Sequence, residues 1–136
     1  PEFTFNNYFI GLALQGKAIT VYGDGIHKRN VIYVDDVIHA LILASQTDKA
    51  RGEVFFAVGD EHFSVDEIAQ LTVKHIGSGR VTYVDWPKER RAIDIGDAVI
   101  SNQKIKQTLN WSPEVNLEIG LNITKDFYQT CLDKYI

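Results

Sequence analysis

Hydrophobic and polar positions switch between two periods along this chain, and each stretch predicts an element. Phe5, Tyr8, Phe9, Leu12 and Ala13 recur at helical spacing, and Gly16 falls where a C-cap would, so a helix is expected over residues 5–15. Residues 18–22 are β-prone and run into Gly23-Asp24-Gly25, a sequence suited to left-handed turn angles. A second short strand is predicted over residues 30–34. Asp35 and Asp36 then stand as N-caps before residues 37–45, almost all apolar, which predicts a helix buried on most sides.

Residues 52–59, Gly-Glu-Val-Phe-Phe-Ala-Val-Gly, form a continuous apolar run between glycines, the pattern of a strand covered on both faces. Ser64 and Glu67 have the spacing of a capping box, followed by a helix that Gly77 ends. Residues 80–86 alternate as a strand leaving the core, and Pro87 stops it. A short surface helix with Ser101 as N-cap and Ile105 and Leu109 as its apolar pair is expected over residues 101–109. Trp111 and Pro113 anchor a turn. Asn116 caps a last helix whose apolar face includes Leu117, Leu121, Phe127, Tyr128, Cys131 and Leu132, with Cys131 a core residue.

The order is mixed α/β, a few short strands with about five helices. That is too few strands for a complete nucleotide-binding half-sheet, so a partial fold is expected, its upstream core missing and residues 52–59 an edge strand of a larger sheet. Apolar surface left open by truncation, or that strand, would favour a homo-oligomer. At 136 residues and 45% hydrophobic content the chain is the size of one domain spanning residues 1–136.

A formal charge of −4 argues against a surface that neutralises nucleic-acid phosphates. The lone Cys131 has no partner for an internal disulfide, and no run reaches the roughly 18 apolar residues of a membrane span. A cytoplasmic protein is expected. The chain contains no methionine and opens Pro1-Glu2-Phe3, so residues 1–4 read as a loop or a cloning remnant of an excised piece.

The chain has no Gly-x-Gly-x-x-Gly or Gly-x-x-Gly-x-x-Gly run to seat a dinucleotide, and no Tyr-x-x-x-Lys pair to supply a tyrosine acid/base. No catalytic residue and no bound cofactor are therefore expected. His27, His39, His62 and His75 lack metal-ligand spacing with one another and with Cys131, so no metal site is expected either. The adjacent Asp35 and Asp36 fit helix capping better than paired acid and base.

The most informative stretch is residues 22–37, Tyr-Gly-Asp-Gly-Ile-His-Lys-Arg-Asn-Val-Ile-Tyr-Val-Asp-Asp-Val, preceded by Gly16-Lys-Ala-Ile-Thr-Val21. With residues 52–59, residues 86–97 (Trp-Pro-Lys-Glu-Arg-Arg-Ala-Ile-Asp-Ile-Gly-Asp) and residues 109–115 (Leu-Asn-Trp-Ser-Pro-Glu-Val), it resembles the C-terminal, substrate-binding half of NAD-dependent nucleotide-sugar epimerases and dehydratases. These are extended short-chain dehydrogenase/reductases, and the likeness runs from about Phe5 to Tyr128, most of all to UDP-glucose 4-epimerase.

The resemblance implies a nucleotide-sugar, most of all a UDP-sugar, as partner, and NAD bound only in the parent enzyme's N-terminal Rossmann domain. It implies a nucleobase beside residues 19–22, including Tyr22, and a diphosphate held by Arg29, whose planar guanidinium suits phosphate oxygens. A second phosphate-binding arginine is implied three residues before Asp97, but that position is Asp94; Arg90 or Arg91 is the substitute. Asp97 matches a family aspartate that orients a ribose hydroxyl or an arginine. The piece alone is expected to be inactive. The alternatives are a stand-alone nucleotide-sugar binding or interaction module, and a fragment of a dTDP-sugar dehydratase or sugar-nucleotide reductase.

Overall fold

The computed structural model describes residues 5–135; the opening residues 1–4, read above as a loop or cloning remnant, lie outside it. The elements are α1 (Phe5–Leu14), β1 (Ala18–Tyr22), β2 (Lys28–Asn30), α2 (Val34–Ser45), β3 (His62–Ser64), α3 (Val65–Ile76), β4 (Arg80–Val84), α4 (Lys88–Arg91), α5 (Gln103–Leu109) and α6 (Leu117–Gln129), with 3-10 turns at Asp48–Ala50 and Leu132–Lys134. The described residues thus hold six α-helices; the short α4 lies in a stretch that reads in sequence only as a charge run.

β1 and β4 pair in parallel, from Ala18 opposite Arg80 to Tyr22 opposite Val84. β2 and β3 pair antiparallel, with Lys28 opposite Ser64 and Asn30 opposite His62. A parallel pair needs a crossover, and α3 leads into β4 from β3 to provide the return. α1 and α3 cover β1, where Ile19 is 0% exposed and Ile68 from α3 is 1%, and α6 packs on α3 and adds Leu121 to the same core. Each such side chain stabilises the fold by about 1.5–3 kcal/mol on burial. A second core joins Ala40 of α2, Ile105 of α5 and Trp111, with Phe55 packed against them.

α3 is the best-specified helix. Ser64 and Glu67 form the reciprocal capping box that their spacing predicts, at 3.1 Å and 2.7 Å. The Val65 N–H donates to the His27 carbonyl at 3.1 Å and the Asp66 N–H to the Gly25 carbonyl at 3.0 Å, so orphan donors of the helix start tie it to the turn before β2. Gly16 and Gly77 follow α1 and α3 with φ of 67° and 83°. Asn116 caps α6 through its side chain.

Several expectations are corrected. The second strand is Lys28–Asn30, two residues early, because its partner β3 lies opposite those residues. Residues 52–59 belong to no strand: they pair with no described strand, and Val54 and Phe56 stand 73% and 57% exposed while Phe55 packs inward. α2 is not buried on most sides, since Val34, Ile38, Leu41 and Ile42 are all exposed and only its Ala40 side meets the second core.

Asp35 and Asp36 are not N-caps. The helix begins at Val34, after Tyr33, and Asp36 sits inside its first turn, buried, accepting the Glu114 and Val115 N–H groups at 3.0 Å and 3.1 Å. Asn102 rather than Ser101 holds the N-cap position of α5, and its side chain turns instead to the Val58 carbonyl and Asp60. α6 stops at Gln129, leaving Cys131 half-buried beyond it and Phe127 exposed.

Candidate functional site

β1 delivers Tyr22 to the turn at Gly23-Asp24-Gly25, and the chain then passes through His27 into β2 and Arg29. Gly23 has a φ of 61°, and a Cβ there would lie 2.6 Å from Trp86 Nε1. The turn therefore lets the Trp86 ring close down over the end of β1, 5.5 Å from the Tyr22 ring and 6.0 Å from that of His27. The three rings make an aromatic edge beside the basic residues of β2.

The loop over residues 94–100 is strapped along β2. Asp97 Oδ1 accepts the Lys28 N–H at 2.8 Å, the Ala98 N–H donates to the Lys28 carbonyl at 2.9 Å, and the Ile100 N–H donates to Asn30 Oδ1 at 2.7 Å. Asp97 therefore spends one oxygen on holding the loop. Arg29 reaches across the junction: its guanidinium donates to the Lys28 carbonyl at 2.8 Å and to the Gly96 carbonyl, and faces Asp94 Oδ1 at 3.5 Å. Asp94 Oδ2 lies 2.8 Å from His27 Nδ1 and accepts the Gly96 N–H at 3.1 Å.

The structure thus brings Arg29 and Asp97 together at one junction, with Tyr22 across the His27–Trp86 pair. Arg90 and Arg91 sit on the exposed α4, beyond Trp86 in sequence, and neither joins the Arg29 cluster. Reasoning from sequence missed His27 and Trp86 as parts of this cluster. Neither carried a signal in the sequence beyond its place in the motif stretches over residues 22–37 and 86–97.

Burial raises the pKa of Tyr33 and of Tyr128, and the hydrogen bond from Tyr83 to Asp66, 2.6 Å long, raises that of Tyr83. No group of three or more His, Cys, Asp or Glu side chains able to hold a metal occurs among the described residues. No helix of the described residues is long and apolar enough to cross a membrane.

The described residues contain no glycine-rich strand-to-helix turn of the kind that seats a dinucleotide pyrophosphate. A dinucleotide pyrophosphate is held where a strand passes through a glycine-rich turn into a helix N-terminus. Here the passages from β2 to α2, β3 to α3 and β4 to α4 contain no glycine, and the glycine turn after β1 leads to another strand.

Comparison with known proteins places this geometry. Residues 6–124 match the family model for GDP-mannose 4,6 dehydratase. The chain is 33% identical over 129 residues to UDP-glucuronic acid decarboxylase 1 of Xenopus tropicalis, covering 92% of this chain and 28% of that protein. It is 33% identical over 122 residues to dTDP-glucose 4,6-dehydratase of Streptomyces griseus, covering 88% of this chain and 36% of that one. Among solved structures, UDP-glucose 4-epimerase of Thermotoga maritima with UDP-glucose superposes with a TM-score of 0.82 at 30% identity, over 97% of this chain and 41% of that one. UDP-glucuronic acid 4-epimerase of Bacillus cereus, in complex with UDP-glucuronic acid and NAD, gives 0.76 at 27% identity, over 94% and 40%. The chain thus spans about a third of the curated relatives it matches. With the family model covering most of its length and the fold shared with these structures, the chain belongs to the GDP-mannose 4,6 dehydratase family, the sugar epimerases and dehydratases of the extended short-chain dehydrogenase/reductase group.

Proposed function

We propose that this chain is the nucleotide-sugar-binding portion of an NAD-dependent epimerase/dehydratase, most like UDP-glucose 4-epimerase, and is inactive by itself. The observation that carries this is Arg29, held at the junction of β2 and the Gly96 loop and directed by backbone carbonyls on both sides. Its guanidinium is the diphosphate ligand, Tyr22 and Trp86 border the nucleobase, and Asp97 fixes the loop over which the ribose passes. Arg90 or Arg91, both on the exposed α4 and apart from the Arg29 cluster, is the candidate second phosphate contact. The 30% identity to an epimerase solved with UDP-glucose supports uridine as the base.

The parent enzyme is cytoplasmic and holds NAD on a Rossmann domain outside this chain's span. That domain covers the open face of α2 and pairs residues 52–59; both are apolar surfaces that this chain leaves uncovered. NAD would supply the hydride chemistry of the parent enzyme, and this chain would supply binding and orientation of the nucleotide-sugar.

A dTDP-sugar dehydratase fragment is the second reading, supported by the 33% identity to dTDP-glucose 4,6-dehydratase. Calorimetric titration of the folded chain with UDP and dTDP separates the two by base preference, and Arg29→Ala tests the ligand. Binding that survives Arg29→Ala unchanged would overturn the site as proposed. No binding of either nucleotide to the folded chain would do the same.

A further inference from the structure

Arg29 offers five N–H donors. Within this chain they already face the Lys28 carbonyl, the Gly96 carbonyl and the Asp94 carboxylate. An exposed ion pair in such a place would mean little. Here the two side chains are only 18% and 15% exposed, and Asp94 is anchored by the Gly96 N–H at 3.1 Å. A fixed carboxylate therefore stands within ion-pair distance of the Arg29 guanidinium that is to meet phosphate.

The two oxygens of Asp94 have unequal partners. Oδ2 is held at 2.8 Å by His27 and at 3.1 Å by the Gly96 N–H, whereas Oδ1 faces Arg29 at the longer 3.5 Å. A small rotation frees the guanidinium while Asp94 keeps its other contacts. We propose that Asp94 is a specificity-determining residue of the Arg29 site: an internal counter-anion that a diphosphate must displace, and that weakens binding of polyanionic ligands relative to the uncharged nucleoside. This role rests on Arg29 being the diphosphate ligand, as proposed above.

Asp94→Asn isolates the charge, because its amide oxygen still accepts from Gly96 while the negative charge is gone. The chain, Asp94→Asn, Asp94→Ser and Arg29→Ala are each titrated calorimetrically with UDP and with uridine, after circular dichroism shows the same fold. Asp94→Asn is expected to bind UDP about tenfold tighter through removal of a like charge a few ångströms from the phosphates. Uridine affinity should stay unchanged, and added salt should shrink the UDP difference. Asp94→Ser, with a hydroxyl left to accept from Gly96, should tighten UDP binding in the same sense and serves if the asparagine variant misfolds.

Equal or weaker UDP binding by both Asp94 variants, with binding lost in Arg29→Ala, would overturn the role of Asp94 and leave that of Arg29 standing. A parallel gain for uridine would also overturn it, since that marks a general structural effect. UDP binding indifferent to Arg29→Ala, or absent from every variant, would remove the Arg29 site and Asp94 with it.

Discussion

Trp111 and Asp36 lock the second core across 75 residues of sequence: the buried indole N–H of Trp111 donates to the Asp36 carbonyl at 3.1 Å. The Asp36 carboxylate then accepts the Glu114 and Val115 N–H groups, so one residue in the first turn of α2 fixes the whole 111–115 turn. Asp36→Ala leaves the part-buried Glu114 and Val115 N–H groups unpaired and is expected to cost about 1–3 kcal/mol. Trp111→Phe keeps most of the packing and loses one hydrogen bond, about 1 kcal/mol. Urea unfolding of both single variants and the double variant checks this: Asp36→Ala keeps the backbone carbonyl that Trp111 uses, so the double variant is expected to be less stable than either single variant, and any departure from additivity measures their coupling.

At Gly23, two penalties coincide. Its φ of 61° disfavours any side chain, and an added Cβ would meet Trp86 Nε1 at 2.6 Å. Gly23→Ala is expected to lose about 1–3 kcal/mol of stability. The Trp86 ring should also move off Tyr22, seen as a change in tryptophan fluorescence; an unchanged spectrum and midpoint would refute the packing described here.

Two carboxylates make the fold sensitive to acid. The Asn102 amide and then Lys106 hold the Asp60 carboxyl below its ordinary pKa, and the Ser64 N–H and hydroxyl do the same for Glu67. Both values are depressed by folding, so their stabilisation is present above the unfolded pKa values of about 3.9 and 4.3 and is lost as pH falls through the lower folded values. Asp60→Asn with Glu67→Gln should flatten the fall of the melting temperature in that range and leave its slope near neutral pH unchanged.

The open face of α2 predicts behaviour in solution. Val34, Ile38, Leu41 and Ile42 form one exposed apolar stripe, and Val54 and Phe56 add to the uncovered surface. The isolated chain should self-associate, with a sedimentation coefficient that rises with concentration. Leu41→Lys with Ile42→Lys should abolish the rise at little cost to the melting temperature, since neither side chain is buried.

What could be read in the sequence was what is decided locally. The Ser64–Glu67 box, the glycine ends of α1 and α3 and the Asn116 cap each depend on neighbours a few residues away, and each stands as predicted. Asp36 looked like a cap because its true partners lie 78 and 79 residues further on. Residues 52–59 have the composition of a strand, but a strand is made by the ladder beside it, and among the described residues that ladder is absent. In the candidate site, Arg29 was singled out through motif resemblance. Asp94 was legible only as a mismatch; that it turns on Arg29 and His27 follows from the strapping of the 94–100 loop along β2.

The parallel pairing of β1 with β4 has a consequence for how the chain folds. Thr82 Oγ1 donates to the Ile19 carbonyl across 63 residues of sequence, and no short hairpin can nucleate such a contact. The capped α3, decided locally, is expected to form before the β1–β4 ladder, which closes only once α3 has brought its far end back. The end of β1, from which Tyr22 and the Gly23 turn project, is therefore expected to order after α3. Any intermediate in which α3 is protected from hydrogen exchange while Val21 is not will contain a formed helix and no binding edge.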